Sequence, residues 1–478
     1  MEGKPLPVAL KVIGGDDDGA MYAAHKKIYP REIGGRFQRL RVAAVFWLLG
    51  MYYLFPWINW DGRQMVLFDL PARKFYILGL VFWPQDFFFL AALLIVAALS
   101  LFFFTAVAGR LWCGFACPQT VWTEVFLWME NWVEGDRNAR MRLDKAPMSA
   151  RKFRLKATKQ FLWVTFSLWT GFTFVGFFTP IRQFGPSLMN FDVGGWEWFW
   201  FLFYSLATYG NAGFLREQVC KYMCPYARFQ SALIDKDSLV IAYDSGRGEA
   251  RGSRSRKADP KALGLGDCID CTLCVQVCPT GIDIRQGLQN ECIGCAACID
   301  VCDDVMGKMG YAPGLIRYST ENGVANRWSR AVMLRRALRP RVLIYGFALL
   351  GISAAFVASL ALRPGFSVDV IRDRGTLARV VEDGVVENTY RLQIANGTEA
   401  PQTYRVTVSG LPGLRVATAA VLSLPGTRIG ALPLTLTLPP EAAEAHRGQA
   451  VPIVFEVREG SGDHAQVLHE KSTYYVPR

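Results

Sequence analysis

Eight cysteines between Cys268 and Cys302 follow the order C-x-x-C-x-x-C-x-x-x-C-P, then, after thirteen residues, C-x-x-C-x-x-C-x-x-x-C. Thiolates at this spacing hold two iron-sulfur cubanes. Three sulfurs of each run sit on one tight loop, and the fourth, at the start of a helix, crosses to the cluster of the other run. The expected ligand sets are Cys268, Cys271, Cys274 and Cys302 for one 4Fe-4S cluster and Cys292, Cys295, Cys298 and Cys278 for the other. Zinc knuckles would carry paired C-x-x-C units or mixed Cys and His, and this segment has four cysteines per run and no histidine. Pro279 follows Cys278 as the pattern expects, whereas Asp303 follows Cys302. The missing proline is expected to weaken the crossover turn near Cys302.

The other four cysteines repeat a different motif, Cys113-Gly-Phe-Ala-Cys117-Pro118 and Cys220-Lys-Tyr-Met-Cys224-Pro225. Each directly follows a long apolar stretch and precedes an amphipathic one, as a duplicated helical hairpin would. An i, i+4 pair places both sulfurs on one face of a helical turn. Two such pairs brought together would present four thiolates at the membrane surface, a soft site for Cu(I) or for a further cluster. The competing reading is four small buried residues beside helix-ending prolines. Met223 could add a thioether, or simply pack. Tyr222 and Tyr226 are neighbours on the same surface.

Several chemistries are unsupported. Histidine occurs only at positions 25, 446, 464 and 469, outside every apolar stretch, so the paired axial ligands of a membrane cytochrome b are missing. Neither a dinucleotide-binding glycine fingerprint nor a phosphate-binding loop is present. A flavin or a quinone demands no short motif and stays open.

These ligands must be positioned by a membrane protein with globular attachments. Hydrophobic residues are 51% of the chain, with 14 Trp and 32 Phe, and mean hydropathy is +0.18, a composition foreign to a soluble enzyme. Five stretches are long enough to cross the hydrocarbon core: 42–58, 86–108, 160–180, 196–214 and 342–362. A sixth patch, Phe75 to Trp83, is too short and is placed at the interface. The formal charge of +12 clusters beside the apolar stretches instead of forming a nucleic-acid stripe. Eight Lys or Arg precede Val42, ten lie in 109–159 and six in 327–341, against three in 60–85 and one in 181–195. Positive flanks stay in the cytoplasm, so the N-terminus and all 12 cysteines are expected there or at the cytoplasmic boundary, and the C-terminus outside. Thiols are kept reduced in that compartment. No cleavable signal peptide is expected, since some forty polar residues precede the first span.

The division expected is 1–41, a cytoplasmic N-terminal segment; 42–230, four membrane helices with both C-x-x-x-C-P motifs; 231–341, a linker and ferredoxin-like module; 342–362, a fifth span; and 363–478, an external domain. Asp17 and Asp18 read as part of a solvated tail, and Arg247 to Lys257 as a flexible linker able to attract anionic lipid. After Phe366 the pattern is short β-branched runs, 367–371, 389–394, 402–408, 434–438 and 450–457, with Asn-Gly, Pro-Gly and Gly-Ser-Gly turns between them. That suits an antiparallel immunoglobulin-like sandwich. Asn396-Gly397-Thr398 matches a glycosylation acceptor but reads better as a turn. His446, His464 and His469 are weak copper candidates, since scattered surface histidines are usually only solvated.

Taken together, the spans, both C-x-x-x-C-P motifs, the eight-cysteine module and the all-β tail resemble the FixG/CcoG family, accessory proteins for assembly of cbb3-type cytochrome c oxidase. The resemblance covers nearly the whole chain. It implies a polytopic α-helical protein of the bacterial inner membrane with a cytoplasmic two-cluster ferredoxin-like insert and a periplasmic immunoglobulin-like domain. It further implies a cupric reductase that passes electrons through the clusters to copper at Cys113, Cys117, Cys220 and Cys224. The partners implied are membrane lipid, a cytoplasmic or quinol electron donor, and copper chaperones or oxidase assembly factors, with no nucleic acid. Two other readings stand beside it: a quinol-linked polyferredoxin conduit to an external reductase, and a non-enzymatic assembly scaffold.

Overall fold

The computed structural model describes residues 27–373, 378–460 and 466–478; Asp17, Asp18, His25 and His464 lie outside them. Among the described residues three helical segments are long and apolar enough to cross a membrane, Arg36–Trp57, Pro84–Ala108 and Pro340–Ala361. The chain therefore has the character of an integral membrane protein. The second and third of these pack against each other, Phe89 meeting Phe356 edge-on at 6.1 Å. The stretches 160–180 and 196–214 are also helical, but differently built. Ala150–Val175 carries its charged residues in its first half, and Gly195–Thr208 runs on into a π-helix, Tyr209–Leu215. These two helices pack closely at Gly171, where a Cβ would stand 2.5 Å from the Phe201 carbonyl oxygen.

The ferredoxin-like module is closed by two antiparallel strands that pair with each other, Val240–Tyr243 and Ile316–Ser319, and packs against the N-terminal end of the first apolar helix. Its core joins Ile241, Ile284, Ile299, Met306 and Leu315 to the cysteines, with Cys113 and Cys220 packed against the same cluster. Among its ties to the first apolar helix, one is a cap. The carboxylate of Asp300 accepts from the backbone N–H groups of Phe37 and Gln38, at 3.1 and 2.7 Å, capping a helix that has no local cap of its own. Helix N-termini leave such donors orphaned, so this carboxylate does for the helix from another domain what an N-cap residue does locally. Asp300→Ala should cost about 1 kcal/mol or more and lower the melting temperature of the detergent-solubilised protein, whereas an unchanged melting temperature would deny the cap any role.

Two expectations about the cysteine helices are corrected. Cys278 follows a short helix, Leu273–Gln276, and Cys302 lies inside the helix Ala297–Met309; neither fourth cysteine starts a helix. Nor is there a weakened turn at Cys302. Proline in a helix interior removes a hydrogen bond and clashes with the preceding turn, so Asp303 in its place lets the helix continue, and its carboxylate accepts from Gly314 N–H at 2.7 Å.

The tail is a sandwich of two antiparallel sheets. One has the strand order Arg415–Val416, Ile429–Leu438, Val386–Asn396, Phe366–Arg372, with Arg379–Val380 also on Val386–Asn396; the other runs Val421–Leu424, Gln402–Ser409, Ala450–Glu459, Val467–Tyr475. Tyr390, Leu392, Ile394, Tyr404, Phe455 and Tyr474 fill the space between. Asn396 behaves as the turn residue expected: it is fully buried, donating to Ala400 and Pro425 carbonyls and accepting from Thr398. The patch Phe75 to Trp83 forms part of a three-stranded sheet, and Val81 and Trp83 pack with Ala395 of the sandwich. Arg63–Glu399 at 2.6 Å and Lys74 Nζ to the Thr427 carbonyl at 2.6 Å reinforce that seam.

Candidate iron-sulfur and thiolate site

The two cysteine loops share one backbone design. In Cys268–Cys274 the residues on either side of the central cysteine, Asp270 and Thr272, have φ of 53° and 55°; in Cys292–Cys298 the equivalent residues, Gly294 and Ala296, have φ of 70° and 61°. Left-handed residues on both sides of a cysteine suit a nest, a concavity of backbone N–H groups that takes an anionic group. Three of the four are not glycine, and such strain persists where the surroundings overdetermine it. Beside each nest lies a small cavity. One is lined by Cys268, Cys271, Cys274 and Cys302, the other by Cys278, Cys292, Cys295 and Cys298. These are the crossed sets expected from the spacing. Among the described residues no three Cys, His, Asp or Glu side chains converge tightly enough for a single metal ion; the cysteines ring a space, as ligands of a larger anionic cluster would. His446 and His469 are accordingly in no such group.

Burial dominates the electrostatics. It pushes the thiols of Cys274, Cys292 and Cys302 up to about 12, neighbouring cysteines adding to the effect, and Cys298 well above the ordinary thiol value. Thiols with such affinity for protons are ionised only by a bound metal, so loading must release protons. Arg285 lines the first cavity and pulls the Cys274 thiol down; it is itself held by Asp283 at 2.7 Å and by Asp270.

The C-x-x-x-C-P cysteines lie near enough to influence one another, though not converged on a single point, and neither pair shares one helical turn. Cys113 lies in the short helix Leu111–Phe115, while Cys117 is extended (φ −62°, ψ 129°) and caps the next helix, Pro118–Glu134. Cys220 lies in a π-helical turn, Val219–Met223, and Cys224 (φ −77°, ψ 111°) caps Pro225–Leu233. A residue before proline is driven out of the helical region and proline suits the first helical position, so each pair straddles a break. The prolines begin helices. The four thiols feel one another: burial first, then Cys117 and Cys224, pushes Cys113 up to about 11, and burial followed by Cys117, Cys113 and Cys224 pushes Cys220 up to about 12. Gln230, fully buried, accepts from Cys113 Sγ at 3.4 Å. Met223 is 60% exposed and Tyr226 is engaged with the Thr105 hydroxyl at 2.6 Å.

The second cysteine loop sits beside the first cysteine of each motif, Cys113 and Cys220. A Cβ on Gly114, inside the first motif, would stand 2.8 Å from both the Cys295 Cα and the Cys295 nitrogen. Arg110 fastens the same place, donating to the Asn290 carbonyl and, at 2.8 Å, to the Ala227 carbonyl. Cys220 faces Pro279, Thr280 and Ile293 across a narrow cavity. Asp300, Gly114, Arg110, Arg285 and Gln230 were not legible as site residues from sequence; only the glycine inside the first motif carried a hint, as a position of close approach.

Comparison with known proteins places all 12 cysteines in matched regions. A family model described as a 4Fe-4S dicluster domain matches residues 215–321, one described as a 4Fe-4S binding domain matches 89–138, and one for the immunoglobulin-like fold at the C-terminus of FixG matches 356–477. The chain is 38% identical over 442 residues to the nitrogen fixation protein FixG of Rhizobium meliloti, covering 86% of this chain and 84% of that protein. It is 39% identical over 431 residues to protein RdxA of Cereibacter sphaeroides, covering 88% and 91%. A crystal structure of a FixG-related protein from Vibrio parahaemolyticus aligns with 23% of this chain and 97% of its own, at 24% identity and a TM-score of 0.20. With the cysteine cavities and the C-terminal sandwich already in view, this level of identity over most of both chains means that the protein is an iron-sulfur member of the FixG family.

Proposed function

We propose that this protein is a membrane-bound reductase that converts Cu(II) to Cu(I) at Cys113, Cys117, Cys220 and Cys224 for delivery to a cbb3-type oxidase under assembly. The observation carrying this reading is the packing of Gly114, inside the first C-x-x-x-C-P motif, against the backbone of Cys295 in the second cysteine loop. On this reading Cys268, Cys271, Cys274 and Cys302 hold one 4Fe-4S cluster and Cys278, Cys292, Cys295 and Cys298 the other. Bound clusters supply one-electron transfer. Cu(II) prefers nitrogen and oxygen ligands and Cu(I) prefers thiolate, so the four cysteines favour the product of a one-electron reduction and retain it. The four are half-buried, which limits competing water, and Gln230, an acceptor for the Cys113 thiol, can turn its amide to donate to the thiolate. The topology that goes with this function has five spans, the N-terminus and cysteines on the cytoplasmic side and the sandwich in the periplasm. The division is 1–41, 42–230, 231–341, 342–362 and 363–478.

The test is anaerobic Cu(II) reduction by purified protein, read with a Cu(I)-specific chelator. Serine at any one of the four positions should lower the rate roughly hundredfold, at or beyond the loss seen for weakened metal shells, with iron content intact. Undiminished reduction in all four variants would end the proposal.

A further inference from the structure

A cavity of about 430 Å³ lies where the extended segment 30–34, the helix Pro118–Glu134 and the second cysteine loop meet. That volume is in the range of small-molecule sites. On one side its wall is Val277 and Pro279, which flank Cys278, and Ala297, which precedes Cys298. On the other side it is Leu127 and Trp128. Trp128 stacks on Phe46 of the first apolar helix at 5.9 Å. Phe46 is 67% exposed and Trp132, one turn beyond Trp128, 79% exposed. Aromatic residues of this kind belong at a membrane interface, so the rim of the cavity is continuous with surface that meets lipid. Its polar wall, which also carries Glu32, Asn131 and Arg140, is organised. Gln38 Nε2 donates to Glu124 Oε1 at 3.1 Å, Arg41 Nη2 lies 3.6 Å from the same oxygen, and the Arg41 guanidinium also reaches Cys295.

We propose that this cavity takes the ring of a lipid-soluble hydroquinone, the electron donor of the protein. The inference rests on the reading that Cys278, Cys292, Cys295 and Cys298 hold a cluster, and names what reduces it. Trp128 offers a face for an aromatic ring, Arg41 and Gln38 offer donors for its oxygens, and the apolar tail can lie along Phe46 and Trp132. A nucleotide donor would need a phosphate cradle, which the sequence lacks. Oxidation breaks the two O–H bonds of the hydroquinone and releases two protons and two electrons, leaving a quinone with two carbonyls. Iron-sulfur centres held by the cysteines would accept these electrons one at a time. One proton passes to the Glu124 carboxylate and the other to water.

The test uses detergent-solubilised full-length protein under anaerobic conditions and two probes. The quinone analogue 2-heptyl-4-hydroxyquinoline N-oxide is followed by fluorescence quenching, and menadiol by the electron paramagnetic resonance signal of the reduced protein. The parent should bind the analogue, with menadione displacing it, and develop the signal on adding menadiol. Leu127→Trp, which fills the cavity, should weaken analogue binding and slow menadiol reduction by about tenfold. Glu124→Gln should slow menadiol reduction while still binding the analogue. Dithionite should give the same signal in all three proteins. The proposal is overturned if the parent does not bind the analogue, if flavin or nucleotide displaces it where menadione does not, or if both variants are reduced by menadiol as fast as the parent. Should Leu127→Trp fail to fold, Glu124→Gln decides. A parent silent to dithionite would instead refute the cluster assignment, and analogue binding would still decide this one.

Discussion

Cys298→Ser is expected to yield a folded protein with about half the parental iron and acid-labile sulfide, because one of two separate thiolate sets loses a ligand that serine replaces poorly. Cys298 shares its cavity with Cys278, Cys292 and Cys295 and with no cysteine of the other set. The remaining set should still give a signal with dithionite. Reduction of Cu(II) should fall roughly hundredfold or more, since the lost set is the one whose loop meets Gly114. Cys302→Ser is the informative partner. It lies only four residues along the same helix, yet it belongs to the cavity of Cys268, Cys271 and Cys274. It should spare the set beside Gly114, and the double variant should lose nearly all iron. If Cys298→Ser and Cys302→Ser gave identical spectra, the crossed arrangement would be wrong.

Gly114→Val should uncouple the two cysteine systems without removing a ligand. Its Cβ would press on the Cys295 backbone from 2.8 Å, and backbone, unlike the tip of a long side chain, cannot swing aside. Overpacking of this kind costs about 1–3 kcal/mol. The loop must shift away from the quartet, so Cu(II) reduction should slow by roughly tenfold or more, while iron content and dithionite reduction stay near parental. Gly307→Ala is the control: nothing lies within 4 Å of its Cβ, and it sits in the helix Ala297–Met309. Alanine there should stabilise by about 1 kcal/mol or less and leave reduction unchanged. Equal rates in Gly114→Val and the parent would remove the contact from the mechanism.

The sandwich was largely legible, since alternation and turn residues are local signals, and strands were expected at 367–371, 389–394, 402–408, 434–438 and 450–457. Four strands escaped, two of them, Arg379–Val380 and Arg415–Val416, only two residues long. Val467–Tyr475 carries His469, Glu470 and Lys471 across an edge of its sheet, where charge discourages further pairing and blurs the hydrophobic alternation. Val421–Leu424 is also an edge strand, only four residues long. The helix through Cys302 is invisible to a motif comparison, which marks the missing proline only as a departure, whereas its physical effect is to let the helix run on.

The cysteine spacing by itself determined the iron-sulfur character of this chain and foretold which sulfurs line each cavity, because three sulfurs of each set lie within the reach of a few consecutive residues. The apolar runs likewise determined its membrane character. Tertiary structure alone decided that Cys113 and Cys220 sit beside the second cysteine loop, that Asp300 caps the first apolar helix, and that a cavity opens between Trp128 and Val277. Each of these joins residues remote in the chain, and such contacts depend on how whole helices pack, which no local pattern encodes.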